Sequence, residues 1–221
     1  NPADKRGALG VLLENLSPHV KQPRNHGALD PEEMPEFFCE LLNWGTIASK
    51  AFAFAILTAS RSKAVRTAKW SDIDLDAGTW VCPESAMKVK GRGIFVVLLS
   101  PAAVRLLKSL PRFDLVFPSP HKHAVMTDTG LGQIVGDMNA QAKKQGLPMW
   151  LDKAQTETTG KEVRITVHGT SRATFKTWTK MDANLKRFDR DAVELCLAHK
   201  LDDGYGGAYD RAAMVEERRR I

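Results

Sequence analysis

Near its C-terminal end the chain sets His199 and Tyr209 ten positions apart, across a loop carrying Gly204, Gly206 and Gly207. An imidazole moves protons near neutral pH and a phenol can act as a nucleophile, so the two could meet on one small target. A surface histidine and a half-buried tyrosine would leave the same trace, and the pair alone decides nothing. Upstream, Arg61 follows a nearly all-apolar stretch at 46–58. An arginine delivered by a buried helix is costly unless an anion, a carboxylate or the last helical carbonyls receive it. Lys88, Lys90 and Arg92 crowd a glycine-containing hairpin that is either solvated or able to lower a cation onto a phosphate. His168 and Arg172 stand where residues 163–178 begin a helix, a place where amides and the dipole favour an anion.

The elements that must position these groups are legible in outline. Asp30, Pro31, Glu32 and Glu33 form a helix start, with a capping side chain, proline at the first position and acids at the positive end of the dipole. Met34, Phe37, Phe38, Leu41 and Leu42 then recur at helical spacing as a core-facing stripe. The apolar stretch at 46–58 predicts a buried helix. Residues 70–81 and 87–99 alternate and are rich in β-branched side chains, which predicts a small antiparallel sheet of about three strands. Ser100 and Pro101 open a further helix with Val104, Leu107 and Leu110 on one face. Another is expected from Asp128 to about Lys144, and another from about Asp189 to Ala198. Residues 148–162 are polar and threonine-rich and read as a long loop without evident chemistry. His121 and His123 read as surface residues, lacking a third ligand at metal spacing.

Composition narrows the classes. With 221 residues and 43% apolar content the chain can bury a sizeable core in one domain. The apolar run at 51–57 is far too short to span a membrane, and no secretory leader precedes it, so a cytoplasmic or nucleoid location is expected. Cys39, Cys82 and Cys196 are odd in number and scattered among apolar residues, as small core residues would be. A formal charge of +6 leans toward a polyanionic partner such as nucleic acid.

Taken in order, Arg61, Lys88, His168, Arg172, His199 and Tyr209 resemble the catalytic set of the tyrosine recombinase (phage integrase) family, and most closely the integrases of prophages and genomic islands. The likeness runs through nearly the whole chain. It includes the opening from His26 to Pro35, Leu57-Thr-Ala-Ser-Arg61, Lys69-Trp-Ser-Asp-Ile-Asp74, Met87-Lys88, Val116-Phe-Pro-Ser119, Thr166-Val-His-Gly169, Leu197-Ala-His199 and Ala208-Tyr-Asp-Arg211. There are departures. Ala64 stands where the family places a glutamate, Leu98 where it often has proline, and His168 and Arg172 are four positions apart instead of three.

The resemblance implies a mainly α fold with a small antiparallel β-sheet, the DNA breaking-rejoining fold. It implies a catalytic domain over 28–221, with 1–27 a linker from a preceding core-binding domain. It implies site-specific strand cleavage and rejoining without metal or ATP. Arg61 and Arg172 would neutralise the scissile phosphate, Tyr209 attack it, His168 serve as base, Lys88 protonate the leaving oxygen and His199 bond the phosphate. Tyr205 is the rival nucleophile and Lys90 the rival acid. Implied partners are double-stranded DNA attachment sites, further copies of the chain in a tetramer on DNA, with a monomer expected without DNA, and an accessory DNA-bending protein. Because of Ala64 and the longer His168–Arg172 spacing, a DNA-binding domain with weakened cleavage stays open, as does a type IB topoisomerase-like activity.

Overall fold

A computed structural model describes residues 25–86, 95–120, 123–199 and 214–221. Asp30 Oδ1 takes the Glu32 N–H at 2.9 Å, and a 3₁₀ turn over Pro31–Glu33 runs into α1 (Met34–Asn43). Phe37 and Leu41 are fully buried, but Leu42 is 38% exposed. The expected stripe is narrower than its spacing suggested, because Leu42 lies about 120° around the helix from the Phe37–Leu41 line.

Thr46 caps α2 (Ile47–Leu57), accepting the Ser49 N–H at 3.1 Å. Every residue from Ala51 to Ala55 has zero exposure, so this helix is the spine of the domain. Phe52 packs edge-on against Phe37 at 5.5 Å, while Phe54 meets the rings of Trp80 and Phe117 at 5.3 Å each. Burying one such ring stabilises the fold by about 1.5 to 3 kcal/mol. A short helix the sequence did not suggest, α3 (Ser62–Arg66), follows at once.

The sheet has the expected size. Strands β1 (Ile73–Asp74), β2 (Thr79–Cys82) and β3 (Phe95–Leu98) pair antiparallel in that order, with Trp80 opposite Val97 and Cys82 opposite Phe95. Trp80, Cys82 and Val97 point into the core, whereas Val81 and Val96 face out. Then come α4 (Pro101–Lys108), capped by Ser100, and α5 (Asp128–Gln145), which ends at Gly146 in a left-handed conformation. Both agree with expectation.

The stretch at 148–162 is not all loop. It contains α6 (Lys153–Thr159), capped by Asp152 and closed by Gly160 at φ 64°. Threonine content hid the helix; Thr158 and Thr159 return their hydroxyls to the Ala154 and Gln155 carbonyls at 2.7 Å each. A π-helical turn over Gly169–Ala173 continues into α7 (Thr174–Trp178), and α8 (Arg190–Cys196) and α9 (Val215–Arg219) complete the order. Cys82 is buried and Cys196 partly so, but Cys39 is exposed on α1, against the expectation for all three.

Residues 25–29 form an extended strap sewn across this region. Gly27 O accepts from Thr166 N at 2.8 Å, Ala28 N donates to Asp152 Oδ2 at 2.8 Å, and Leu29 O accepts the Thr174 hydroxyl at 2.6 Å. A Cβ at Gly169 would collide with the Gly27 carbonyl, so only glycine allows the strap to lie this close. Residues 1–24, most of the expected linker, lie outside the described residues. Among the described residues no helix is long and apolar enough to cross a membrane.

Candidate active site

Two helix ends and one turn converge on Arg172. At the end of α2 the chain leaves through Ala59, held at φ 48°, with Ser60 N bonded to Ala55 O at 3.1 Å and Ala59 N to Ile56 O at 3.2 Å. At the end of α8 the same pair of bonds recurs. Ala198 has φ 51°, His199 N reaches Glu194 O at 2.9 Å and Ala198 N reaches Leu195 O at 2.9 Å. Both are Schellman closures, with alanine at the left-handed position where glycine is usual. One launches Ser60 and Arg61; the other launches His199.

The third component is the turn carrying His168 and Arg172. Thr166 Oγ1 accepts the Gly169 N–H at 3.0 Å and Thr166 O the Thr170 N–H at 2.9 Å, so these two amides are already satisfied. The expectation that a helix N-terminus here would offer amides to a phosphate therefore does not hold for them. The four-residue step from His168 to Arg172, one longer than the resemblance anticipates, runs through the π turn, with Thr174 N bonding back to Gly169 O. An inserted residue in a helix commonly takes this form, and frequently at functional sites. Ser171 fastens the turn to the end of α2 through a buried hydroxyl bond to Ser60 O at 3.1 Å.

Arg172 itself is only 7% exposed. Its Nη1 donates to Ala59 O at 2.9 Å and its Nη2 to Leu197 O at 2.8 Å, so one guanidinium clamps both helix ends. Helix C-termini carry partial negative charge and suit a cation. Burial, followed by repulsion from Arg61, pulls this guanidinium down to about 10, with Glu194 opposing. It is still charged at neutral pH. Arg61, half-buried at the start of α3, lines the same small cavity as Arg172, with Ala64 and Cys82 in its wall. Burial pushes the Cys82 thiol up to about 11. Two arginines lining one partly buried space have the chemistry to receive an oxyanion, which planar forks bind best.

His199 joins Arg172 directly. Its Nε2 lies 2.9 Å from Arg172 Nη2 and its Nδ1 2.7 Å from Glu194 Oε2. His168 sits one turn before Arg172, its ring packed 4.6 Å from that of His26. Ala64 is 5% exposed, a small apolar side chain where the family resemblance anticipates a carboxylate. The structure thus places Arg61, Arg172 and His199 in one cluster and His168 on the turn that carries Arg172. Lys88 and Lys90, Tyr205 and Tyr209 lie outside the described residues.

Sequence reasoning missed Glu194 and Lys176. Glu194 accepts from Lys176 of α7 and from His199. Burial raises its pKa, but these hydrogen bonds outweigh burial and leave it lowered overall. A signal was available: Glu194 lies in the last turn of α8, where the dipole disfavours an anion and a compensating cation is expected.

The sequence shows similarity to integrases. It is 28% identical over 163 residues to an integrase of Enterobacteria phage P4, covering 66% of this chain and 35% of that protein. It is also 28% identical over 201 residues to the prophage integrase IntZ of Escherichia coli K12, covering 90% of this chain and 44% of that one. The chain spans less than half the length of the curated relatives it matches. No family model matches it. Among solved structures, the Tn1549 transposon integrase in complex with circular intermediate DNA aligns at TM-score 0.59 and 14% identity, over 93% of this chain and 67% of that one. A lambda integrase dimer bound to a core site aligns at TM-score 0.55 and 15% identity, over 90% of this chain and 65% of that one. The chain has the fold of tyrosine recombinase catalytic domains, mainly α with a three-stranded antiparallel sheet, and the curated proteins it is similar to in sequence include phage and prophage integrases.

Proposed function

We propose that the chain is the catalytic domain of a site-specific DNA recombinase that integrates and excises a mobile element. The observation that carries this reading is the Arg172 guanidinium, buried, clamped by two helix ends and paired across a small cavity with Arg61. A phosphodiester is anionic and resists a nucleophile until its charge is neutralised, and one preorganised donor to the transition state is worth about 2.7 to 4 kcal/mol.

In this reading Arg61 and Arg172 bind the non-bridging oxygens and His199 adds a bond to the same phosphate. The Tyr209 oxygen attacks phosphorus while its proton passes to His168. The bond from phosphorus to the 5′-oxygen breaks, that oxygen takes a proton from Lys88, and a 3′-phosphotyrosyl bond remains. The new ester conserves the energy of the old one, so the reverse attack by a 5′-hydroxyl rejoins DNA without ATP. Residues 28–221 form the catalytic unit, preceded by a domain that clamps DNA in the nucleoid. Four copies assemble on paired attachment sites, a reading supported by the lambda integrase tetramer bound to a Holliday junction.

A second reading has a specific observation behind it. Ala64 buries a methyl beside Arg61 where a carboxylate would support it, which favours a DNA-binding domain with weakened cleavage. One experiment separates the two. Incubation with a nicked duplex carrying the element's attachment site, followed by denaturing electrophoresis, is expected to show a covalent protein-DNA adduct that Tyr209→Phe abolishes. Wild-type protein that binds this DNA yet yields no more adduct than Tyr209→Phe establishes the second reading instead.

A further inference from the structure

We infer that Glu194, locked by Lys176, is a positioning residue that fixes the tautomer and direction of His199; this rests on the recombinase reading for its catalytic consequence. The geometry starts from exposure. The His199 side chain is 43% exposed and lies just past a helix end, where nothing in its own backbone would hold the ring. Glu194 holds it twice. Its carbonyl accepts the His199 N–H at 2.9 Å, and its Oε2 meets Nδ1 at 2.7 Å. The second carboxylate oxygen, Oε1, is taken by Lys176 from α7, so the carboxylate cannot swing away without breaking an ion pair.

The other ring nitrogen then has one role open to it. Nε2 faces Arg172 Nη2 at 2.9 Å, and a guanidinium can only donate. Nε2 is therefore an acceptor and the ring proton sits on Nδ1, pointing at Glu194. Only this tautomer satisfies both contacts in a neutral ring, and a bond from Nε2 to a phosphate oxygen, which only accepts, requires that nitrogen to take up a proton first. The chain of contacts runs from Lys176 through Glu194 and His199 to Arg172, crossing from α7 to α8 and back to the π turn. It ends on the guanidinium that the recombinase reading places on the phosphate. Such carboxylate-to-imidazole pairs are how folds orient a histidine that acts on something else. A carboxylate serving stability alone would need neither the ring nor this orientation.

A double-mutant cycle on adduct formation with the nicked duplex tests the inference in the 221-residue chain. Glu194→Ala is expected to slow adduct formation about tenfold or more, yet to cost less than twofold in a His199→Ala background, because the carboxylate acts through the ring. Glu194→Gln preserves shape and one acceptor, folds if the alanine variant does not, and is expected to lose less while showing the same dependence on His199. An equal loss with and without His199, or a Glu194→Ala rate within twofold of wild type, overturns the proposal. Histidine nitrogen NMR supplies the readout that stability alone would not move. His199, assigned by its absence in His199→Ala, should show a single Nδ1–H tautomer in wild type and a mixture in Glu194→Ala. An unchanged tautomer in that variant refutes the positioning role. Should wild type give no adduct, the recombinase reading fails while the NMR arm still decides the role of Glu194.

Discussion

The ends of α2 and α8 close by the same motif and hand a carbonyl to the same guanidinium, yet they are stabilised by different means. At the end of α2 everything is buried: Thr58, Ala59 and Ser60 are all below a tenth exposed, and Ser171 bonds the Ser60 carbonyl. Its geometry is enforced by packing. At the end of α8 the last residue of the motif, His199, is exposed, and a charged carboxylate with its own lysine replaces packing. The difference teaches that a buried end can serve as a fixed wall, while an exposed end that must meet a ligand needs electrostatic aim. Both alanines accept a left-handed backbone that costs an L-residue roughly 1 to 2 kcal/mol, which the surrounding contacts must offset.

The comparison breaks most completely at the residue that joins the two ends. Arg172→Lys keeps a positive charge but cannot reach both Ala59 O and Leu197 O, so adduct formation should fall by about 100- to 1000-fold. An activity within tenfold of wild type would mean that the charge, and not the two-ended clamp, is what counts. A smaller effect should isolate the buried end. Ser171→Ala removes its bond to Ser60 O and should cost about 1 kcal/mol in chemical denaturation, with His199 tautomer unchanged. Loss of the tautomer in that variant would show that the ends are not independent.

The smallest effect concerns the exposed end and is read by acid. Glu194 has its carboxyl held below the usual carboxylate range by Lys176 and His199, against the opposing pull of burial. Its stabilising contribution is complete above the unfolded value of about 4.3 and disappears as pH falls through the lower folded value. In wild type, stability should therefore decline in that acid window more steeply than in Glu194→Gln. Parallel curves for the two proteins would remove the electrostatic half of the comparison.

Periodicity and capping chemistry made most of the fold legible. Asp30, Thr46, Ser100 and Asp189 each cap the helix start that their sequence position implied, because a cap is a local exchange between one side chain and amides two or three residues away. The helix at 153–159 was hidden because threonine is a poor helix former in isolation, and it is the Asp152 cap and Gly160 closure that hold it. Arg61, His168, Arg172 and His199 were picked out as candidates by type, order and resemblance. Glu194 and Lys176 were not: the acid in the last turn of its helix called for a cation, but which cation, and that the same carboxylate meets His199, is set only when the helix end folds back.

By itself the sequence determined where the longer helices lie, roughly which face the first of them buries, and which cations and imidazoles were candidates for a phosphate. Those follow from short-range rules of spacing and capping. Only the tertiary structure decided that Arg172 is shared between two helix ends, that the four-residue step from His168 to Arg172 becomes a π turn, and that the amides at that turn are already bonded. Each of these depends on where a carbonyl from a distant element arrives. Residues 113 and 25 positions away supply the acceptors for one guanidinium, a placement fixed by packing around the α2 spine and not by any local pattern.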